Sequence, residues 1–299
     1  MTLSQSDIAA LLTRYGLRPS RALGQNFVAD PNTVRRIARL AGVGPGDRVV
    51  EVGPGLGSLT LALAETGASI VAVEADRHLL APLGETLSGL DRVVVVHADA
   101  MRVDWSELLQ GRPGWVLVAN LPYNIATPLI ADLLDSVPLV ERMLVMVQRE
   151  VGERLVARPG DGPYGAVSVK VAYWSEARLV GRVPASVFQP RPKVESVLVD
   201  IRRRPVPAVD PALVDPDRLF ALVRAGFATR RKMLRRSLAA VMDPAAFETA
   251  GVAPEARAEE LDVEAWGRLA GQPGVVGRPD VVERPDVAGR GRLAGKSFE

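Results

Sequence analysis

The chain has no cysteine, which excludes disulfides, a thiolate nucleophile and any thiolate zinc or iron–sulfur site. His78 and His97 are the only histidines, which argues against a multi-histidine metal centre; both read as structural, and no metal is expected. Lysine is nearly as scarce: of 37 basic residues only Lys170, Lys193, Lys232 and Lys296 are not arginine. Arginine suits bidentate phosphate recognition, but an arginine- and alanine-rich codon bias gives the same composition, so clustering must decide. Long hydrophobic runs are missing too. The uncharged stretch 115–131 is broken by Asn120, Pro122, Asn124 and Pro128, a poor spanning helix, and no membrane partner is expected. The N-terminus carries Asp7 early and has no apolar segment before a small-residue cleavage site, so no signal peptide is read and a cytoplasmic, monomeric protein is expected.

What is present is ordinary for a folded protein. The 299 residues are 47% hydrophobic and 24% charged with a net charge of +2, which excludes wholesale disorder and fits one large or two medium domains.

Residues 6–16 read as a helix capped by Ser6 and stopped at Gly16. A basic arm follows with Arg18 and Arg21, then a helix over 31–42 opening with Pro31. Short β-branched runs at 47–53, 68–76, 92–99, 115–120 and 141–148 then alternate with helical stretches at 58–67, 76–87 and 125–135. Continuous apolar strands separated by helices predict a parallel sheet covered on both faces, a doubly wound α/β fold. Residues 165–174, 177–183 and 195–203 read as further strands forming an added antiparallel portion. The charged, proline-rich stretch 202–211 reads as a linker, and 216–240, 244–251 and 262–270 as the helices of a small all-α domain. The expected division is therefore 1–203, 204–271, and a disordered tail over 272–299 that contains Arg-Pro-Asp-Val twice.

Gly53-Pro-Gly55-Leu-Gly57 follows the first of the alternating strands and opens a helix. Its G-x-G-x-G spacing differs from the dinucleotide fingerprint, and alone it fits a tight structural turn equally well. Glu74 ends the next strand, 21 residues after Gly53, where a carboxylate can accept both hydroxyls of a ribose. Asp99 ends the following strand, placed to accept from an adenine amino group. Either residue alone also reads as a helix cap or a solvated charge; together, on consecutive strand ends, they favour a ligand bearing adenosine.

Asn120-Leu121-Pro122-Tyr123 follows the fourth of those strands. An exocyclic amine is a poor nucleophile because its lone pair is delocalised into the ring. It needs hydrogen-bond acceptors that hold its protons and aim the lone pair, more than it needs a strong base. The Asn120 side chain and the Leu121 carbonyl can supply them. Pro122 fixes φ and brings no N–H, and Tyr123 can stack on a flipped base. A proline turn with a buried tyrosine is the plain alternative.

In this order Gly24-Gln-Asn-Phe27, the stretch 51–60, Val73-Glu-Ala-Asp76, His97-Ala-Asp-Ala100, Asn120-Leu-Pro-Tyr123 and the stretch 188–196 (FQPRPKVES) resemble the ribosomal RNA adenine dimethyltransferases, closest to their bacterial small-subunit branch. The resemblance runs from about residue 18 to 240 and implies a Rossmann-like class I methyltransferase sheet. It implies S-adenosylmethionine as cofactor, contacted by Asn26, Val28, Gly53, Glu74, Asp99 and Asn120. It implies Tyr123 and Phe188 as stacking partners of the target adenine, and Pro190 and Pro192 suggest an exposed loop around Phe188. The implied substrate is a pair of adjacent adenines in the 3′-terminal hairpin loop of small-subunit (16S) ribosomal RNA, within the 30S subunit or its precursor, each dimethylated. Val28, Ala98 and Arg236 depart from the family's usual Leu, Gly and Asn.

For the RNA surface, Arg202, Arg203 and Arg204 cluster at the linker. Arg224, Arg230, Arg231, Lys232, Arg235 and Arg236 fall on the one predicted helix at 216–240, a stripe that can follow a phosphate backbone or merely be a solvated face. Rival readings are a large-subunit (23S) enzyme conferring macrolide resistance, a non-catalytic assembly factor on the same fold, and a nicotinamide dehydrogenase. The last lacks its glycine spacing and a residue to handle hydride.

Overall fold

The central strands owe their burial to sequence: Val49, Val50 and Val52, then Ile70 to Val73, leave no polar face to turn toward water, so both sides of the sheet must be covered. The computed structural model describes residues 2–20 and 24–273; Arg21 and all but the first two residues of the expected disordered tail lie outside the described residues. Among the described residues, the chain divides into one unit up to residue 152 with 178–202 and a second made of 153–177 with 203–273.

The elements run α1 (Gln5–Arg14), β1 (Phe27–Val28), α2 (Pro31–Ala41), β2 (Arg48–Val52), α3 (Ser58–Ala64), β3 (Ser69–Glu74), α4 (Leu80–Thr86) and β4 (Val93–His97). Then come α5 (Trp105–Leu108), β5 (Trp115–Asn120), α6 (Ala126–Ser136), β6 (Val140–Gln148), α7 (Arg149–Val156), α8 (Ala166–Trp174), β7 (Ser175–Val183), β8 (Phe188–Gln189) and β9 (Ser196–Arg203). The remaining helices are α9 (Pro216–Ala228), α10 (Leu234–Ser237), α11 (Ala245–Thr249) and α12 (Val263–Ala270). None of the described helices is long and apolar enough to cross a membrane.

The sheet has the order β4-β3-β2-β5-β6-β9-β7, with β2 to β6 parallel and β9 antiparallel to β6. This is the doubly wound α/β arrangement that the alternation predicts. α2 lays Val34, Ile37, Ala38 and Ala41 onto it, an i, i+3, i+4, i+7 stripe, against Val49, Val118, Leu144 and Leu198. Each buried aliphatic side chain contributes about 1.5–3 kcal/mol. Asp30 caps α2 by accepting from the N–H groups of Asn32 and Thr33.

Several expectations need correction. α1 is capped by Ser4 rather than Ser6: Ser4 Oγ accepts from the Asp7 N–H at 3.3 Å and Asp7 accepts from the Ser4 N–H at 2.8 Å, a capping box. Residues 165–174, expected as a strand, form α8. Val169, Val171 and Tyr173 are buried there, so an apolar run that is hydrophobic all round has no period to distinguish helix from strand. The Gly165 N–H donates to Ser168 Oγ at 3.1 Å at the start of α8. The 216–240 helix breaks after Ala228. Thr229-Arg-Arg-Lys232 has nothing apolar to bury, the Lys232 N–H turns back to Thr229 O at 2.8 Å, and the Leu234 N–H pairs with Ala256 O at 2.7 Å. Helices α5 and α7 were not expected.

The second unit has its own core, built on Trp266, Tyr173, Phe220 and Phe247, with the Tyr173 and Phe220 rings edge-on at 5.1 Å. The Tyr164 hydroxyl donates to Leu261 O at 2.7 Å across that unit.

Candidate functional site

From β2 the chain winds outward through β3 to β4, then returns to β5 on β2's other side. Loops leaving the carboxyl ends of β2 and β5 therefore part and open a crevice, the place where open α/β sheets bind ligands. A cavity of about 250 Å³ lies there. Asn26, Val28, Gly53, Glu74, Asp99 and Asn120 all line it, as does Pro122, so residues spread over nearly a hundred positions meet in one place.

Backbone conformation explains the glycines. Gly53 takes φ +70° and Gly55 φ +61°, and a Cβ on Gly55 would stand 2.9 Å from the Phe27 ring. The Gly55 N–H donates to Glu74 Oε2 at 3.0 Å and the Asp76 N–H to Glu74 Oε1 at 2.8 Å. Glu74 thus ties the glycine loop to its strand end while both oxygens keep a free lone pair. Burial raises its pKa, and these two N–H bonds work against the rise. Asp99 lies two residues beyond the end of β4. Its half-exposed carboxylate accepts from the Met101 N–H at 2.9 Å.

The arm is fastened to the chemistry site. Asn120 Nδ2 donates to Asn26 O at 3.0 Å. A main-chain carbonyl can only accept, so this bond fixes the amide and leaves Asn120 Oδ1 as the outward acceptor. Leu121 is buried and its N–H donates to Met146 O at 3.1 Å, which holds the tetrapeptide backbone to β6.

Two residues had no role in the sequence reading. Glu51, inside β2, is 1% exposed, lines the cavity, and its Oε2 has no hydrogen-bond partner. Burial pushes its pKa up to about 8; the Thr60 hydroxyl is near enough to temper the shift without hydrogen-bonding geometry, and the Glu74 charge adds to it. The signal was legible as one acid inside a β-branched run. Because the folded pKa lies above the unfolded one, the native state holds a proton that the unfolded chain releases. Stability from this group is full below about pH 4.5 and is lost as pH rises through about 8, by about 1.4 kcal/mol per unit in between. Glu51→Gln should therefore flatten the fall in stability between pH 5 and 8, measured by urea melts of the ligand-free protein; parallel curves would show Glu51 ionised throughout.

The second is Ser196. Tyr123 is half-buried and its hydroxyl shares a 3.2 Å hydrogen bond with Ser196 Oγ, which is fully buried on β9. Nothing in the sequence marks this pairing. It restrains the Tyr123 ring at a cost of about 1 kcal/mol if removed. Ser196→Ala should lower stability by about 1 kcal/mol in urea melts; an unchanged midpoint would mean that the ring is held by packing alone.

Phe188 is not in an exposed loop. It is 4% exposed, forms β8 with Gln189, pairs with Val28 and packs in the core of the first unit. Strand pairing with the arm overrides the flanking prolines. The basic residues do not form one helical stripe either. Arg230 is committed to Glu259 and to Gly162 O at 2.6 Å, and Arg235 pairs with Glu255 at 3.2 Å. Arg231 and Lys232 are exposed in the turn before α10, and Arg202 Nε sits 3.1 Å from Asp200. No cluster of metal-ligating side chains occurs among the described residues.

A family model described as ribosomal RNA adenine dimethylase matches residues 17–271. The ribosomal RNA small subunit methyltransferase A of Streptomyces avermitilis is 47% identical, with 91% of this chain and 94% of that protein covered. The protein of the same name from Leifsonia xyli subsp. xyli is 49% identical, with 90% and 97% covered. Among solved structures, a dimethyladenosine transferase from Plasmodium falciparum aligns with a TM-score of 0.68 at 25% identity, covering 80% of this chain and 94% of that one. The 23S rRNA methyltransferase ErmE aligns with a TM-score of 0.62 at 30% identity, covering 82% and 98%.

Proposed function

This chain belongs to the ribosomal RNA adenine dimethylase family, and from that premise we propose that it dimethylates the N6 amino groups of two adjacent adenines in the 3′-terminal hairpin loop of 16S ribosomal RNA, with S-adenosylmethionine as donor. It acts as a cytoplasmic monomer on the small subunit or its precursor, and so takes part in small-subunit maturation.

The observation that carries the donor assignment is the charge of the cavity. Glu74, Asp76 and Asp99 line it beside a protonated Glu51, and no lysine, arginine or histidine does among the described residues. Such a wall repels the diphosphate of a nicotinamide dinucleotide and attracts a ligand carrying a sulfonium and an ammonium. Glu74 would hold the ribose hydroxyls and Asp99 the adenine amino group, with the chain around Asn26, Val28 and Gly53 against the remainder. When bound, S-adenosylmethionine supplies an electrophilic methyl group on a positively charged sulfur.

The residues of this chain then have to present the amine. Asn120 Oδ1 and the Leu121 carbonyl accept the two amino protons and turn the nitrogen lone pair toward the donor. Pro122 adds no competing N–H, and the Tyr123 ring stacks on the extruded base, offsetting part of the unstacking cost of a few kcal/mol. Once the nitrogen is alkylated its proton is acidic, so water can remove it and no strong base is needed. Catalysis is then positioning and electrostatics.

Small-subunit names accompany relatives at 47–49% identity, against 30% for ErmE, which favours 16S over 23S RNA. Primer extension on ribosomal RNA from a strain lacking its own small-subunit enzyme tests this. With the chain supplied, reverse transcriptase should stop at the adjacent adenines. Full read-through there, or macrolide resistance in a sensitive host, would sink the assignment. The exposed pair Arg231 and Lys232 is assigned to phosphate contact. Changing both to Glu should weaken subunit binding and lower the salt slope by about 1.5; a change in melting temperature alone would make the turn structural.

A further inference from the structure

Outside the cavity, arginines of the first unit gather on α2 and around Asp200. Asp200, 2% exposed on β9, receives three guanidinium groups: Arg142 Nε at 2.7 Å, Arg202 Nε at 3.1 Å and Arg178 Nη2 at 3.2 Å. Burial alone would raise the Asp200 pKa, but the hydrogen bonds from Arg142 and Arg202 outweigh it and hold the carboxyl below its ordinary range. It therefore stays ionised and cancels one of three positive charges. Arg142 also donates to Ala41 O at 2.5 Å and Leu40 O at 3.0 Å, which ties the end of α2 to β6.

The charge continues onto α2. On β7, Arg178 turns to the α2 side with Asp200; Gly181 and Val183 face that side too, so Arg182 between them turns away from it. Arg36 on α2 donates to Arg182 O at 3.1 Å, and a Cβ at Gly181 would fall 2.3 Å from Arg36 Nη2, so its guanidinium lies across the strand where only glycine leaves room. Arg39 is exposed one turn further on, and α2 carries no acidic residue. Of the acids on these strands, Glu141 alternates to the other side of β6 from Arg142, and Glu176 is engaged by Arg204. Arg178 and Arg202 remain 68% and 56% exposed even while paired.

Solubility does not require guanidinium groups fixed in a row, and fixed groups lose little entropy on binding. The geometry points to a second RNA-contacting surface: the stripe Arg36, Arg39, Arg178 and Arg202 holds the phosphate backbone of ribosomal RNA flanking the target loop. β7 lies three strands, about 14 Å, from Asn120 on β5. The stripe therefore engages neighbouring RNA and not the extruded adenine. This inference rests on the RNA-substrate reading above.

The test is filter binding of the full chain to 30S subunits between about 50 and 200 mM salt. Arg39→Gln/Arg178→Gln should weaken binding about tenfold near 100 mM and reduce the salt slope by about 1.5. Arg36→Gln/Arg39→Gln leaves the Asp200 cluster intact and should act similarly, which guards against a folding defect in the first variant. Wild-type affinity and slope in the second variant, with unchanged melting, would make the stripe a solvated face and overturn the inference. Binding is read without methyl transfer, so a wild-type chain that binds but never methylates would refute the proposed activity separately.

Discussion

Asn120→Ala lowers the rate of methyl transfer about 10²–10³-fold while weakening donor binding less than about tenfold. The asymmetry follows from how the side chain is spent. Its nitrogen is used on Asn26 O at 3.0 Å, and its oxygen is the acceptor that aims the amine. Alanine removes the acceptor, which acts where charge develops on the nitrogen, and that loss falls on the chemical step. It also leaves one carbonyl of the arm without its donor, a cost of about 1 kcal/mol that falls on donor binding. Rapid-quench single turnovers and calorimetric titration of the donor separate the two effects. Equal losses in both would make Asn120 a donor ligand and not the residue that orients the amine.

Glu74→Gln weakens donor binding about 100-fold. Both oxygens of Glu74 receive backbone N–H groups, from Gly55 and Asp76, and the residue lines the cavity. An amide has one oxygen, so its NH₂ must confront one of those N–H groups. The variant therefore loosens the glycine loop and loses an acceptor for the ribose together. Two charge-assisted hydrogen bonds at about 1.5 kcal/mol each account for the size. A donor affinity within about threefold of wild type would place the ribose elsewhere.

The parts of this molecule that the sequence made legible are those where burial leaves one solution. Five strands were readable because Val, Ile and Leu on both faces cannot be reconciled with water on either side, and Gly53, Glu74, Asp99 and Asn120 were readable because they sit at or just beyond the ends of those strands, whereas Asn26 and Val28 came only with the family resemblance. Residues 165–174 were not readable: an all-round apolar run is equally a buried strand or a buried helix, and only the packing of α8 with α9 and α12 decides. Phe188 was misplaced because prolines mark a loop locally, whereas the partner that buries it, Val28, lies 160 positions away. The basic residues after Ala228 kept a helical count but had no apolar face to hold a helix together. Ser196 and the arginines around Asp200 depend on β9 lying between β6 and β7, an order of strands that no local pattern carries.

The most direct measurement incubates the purified full chain with methyl-labelled S-adenosylmethionine and 30S subunits from a strain lacking the modification, then maps the label by nuclease digestion and mass spectrometry. The account predicts two methyl groups on each of two neighbouring adenines in the 3′-terminal hairpin loop, and labelling at least about 100-fold slower when Asn120 is alanine. Label confined to other positions of the 16S RNA, or no label on it, would contradict it.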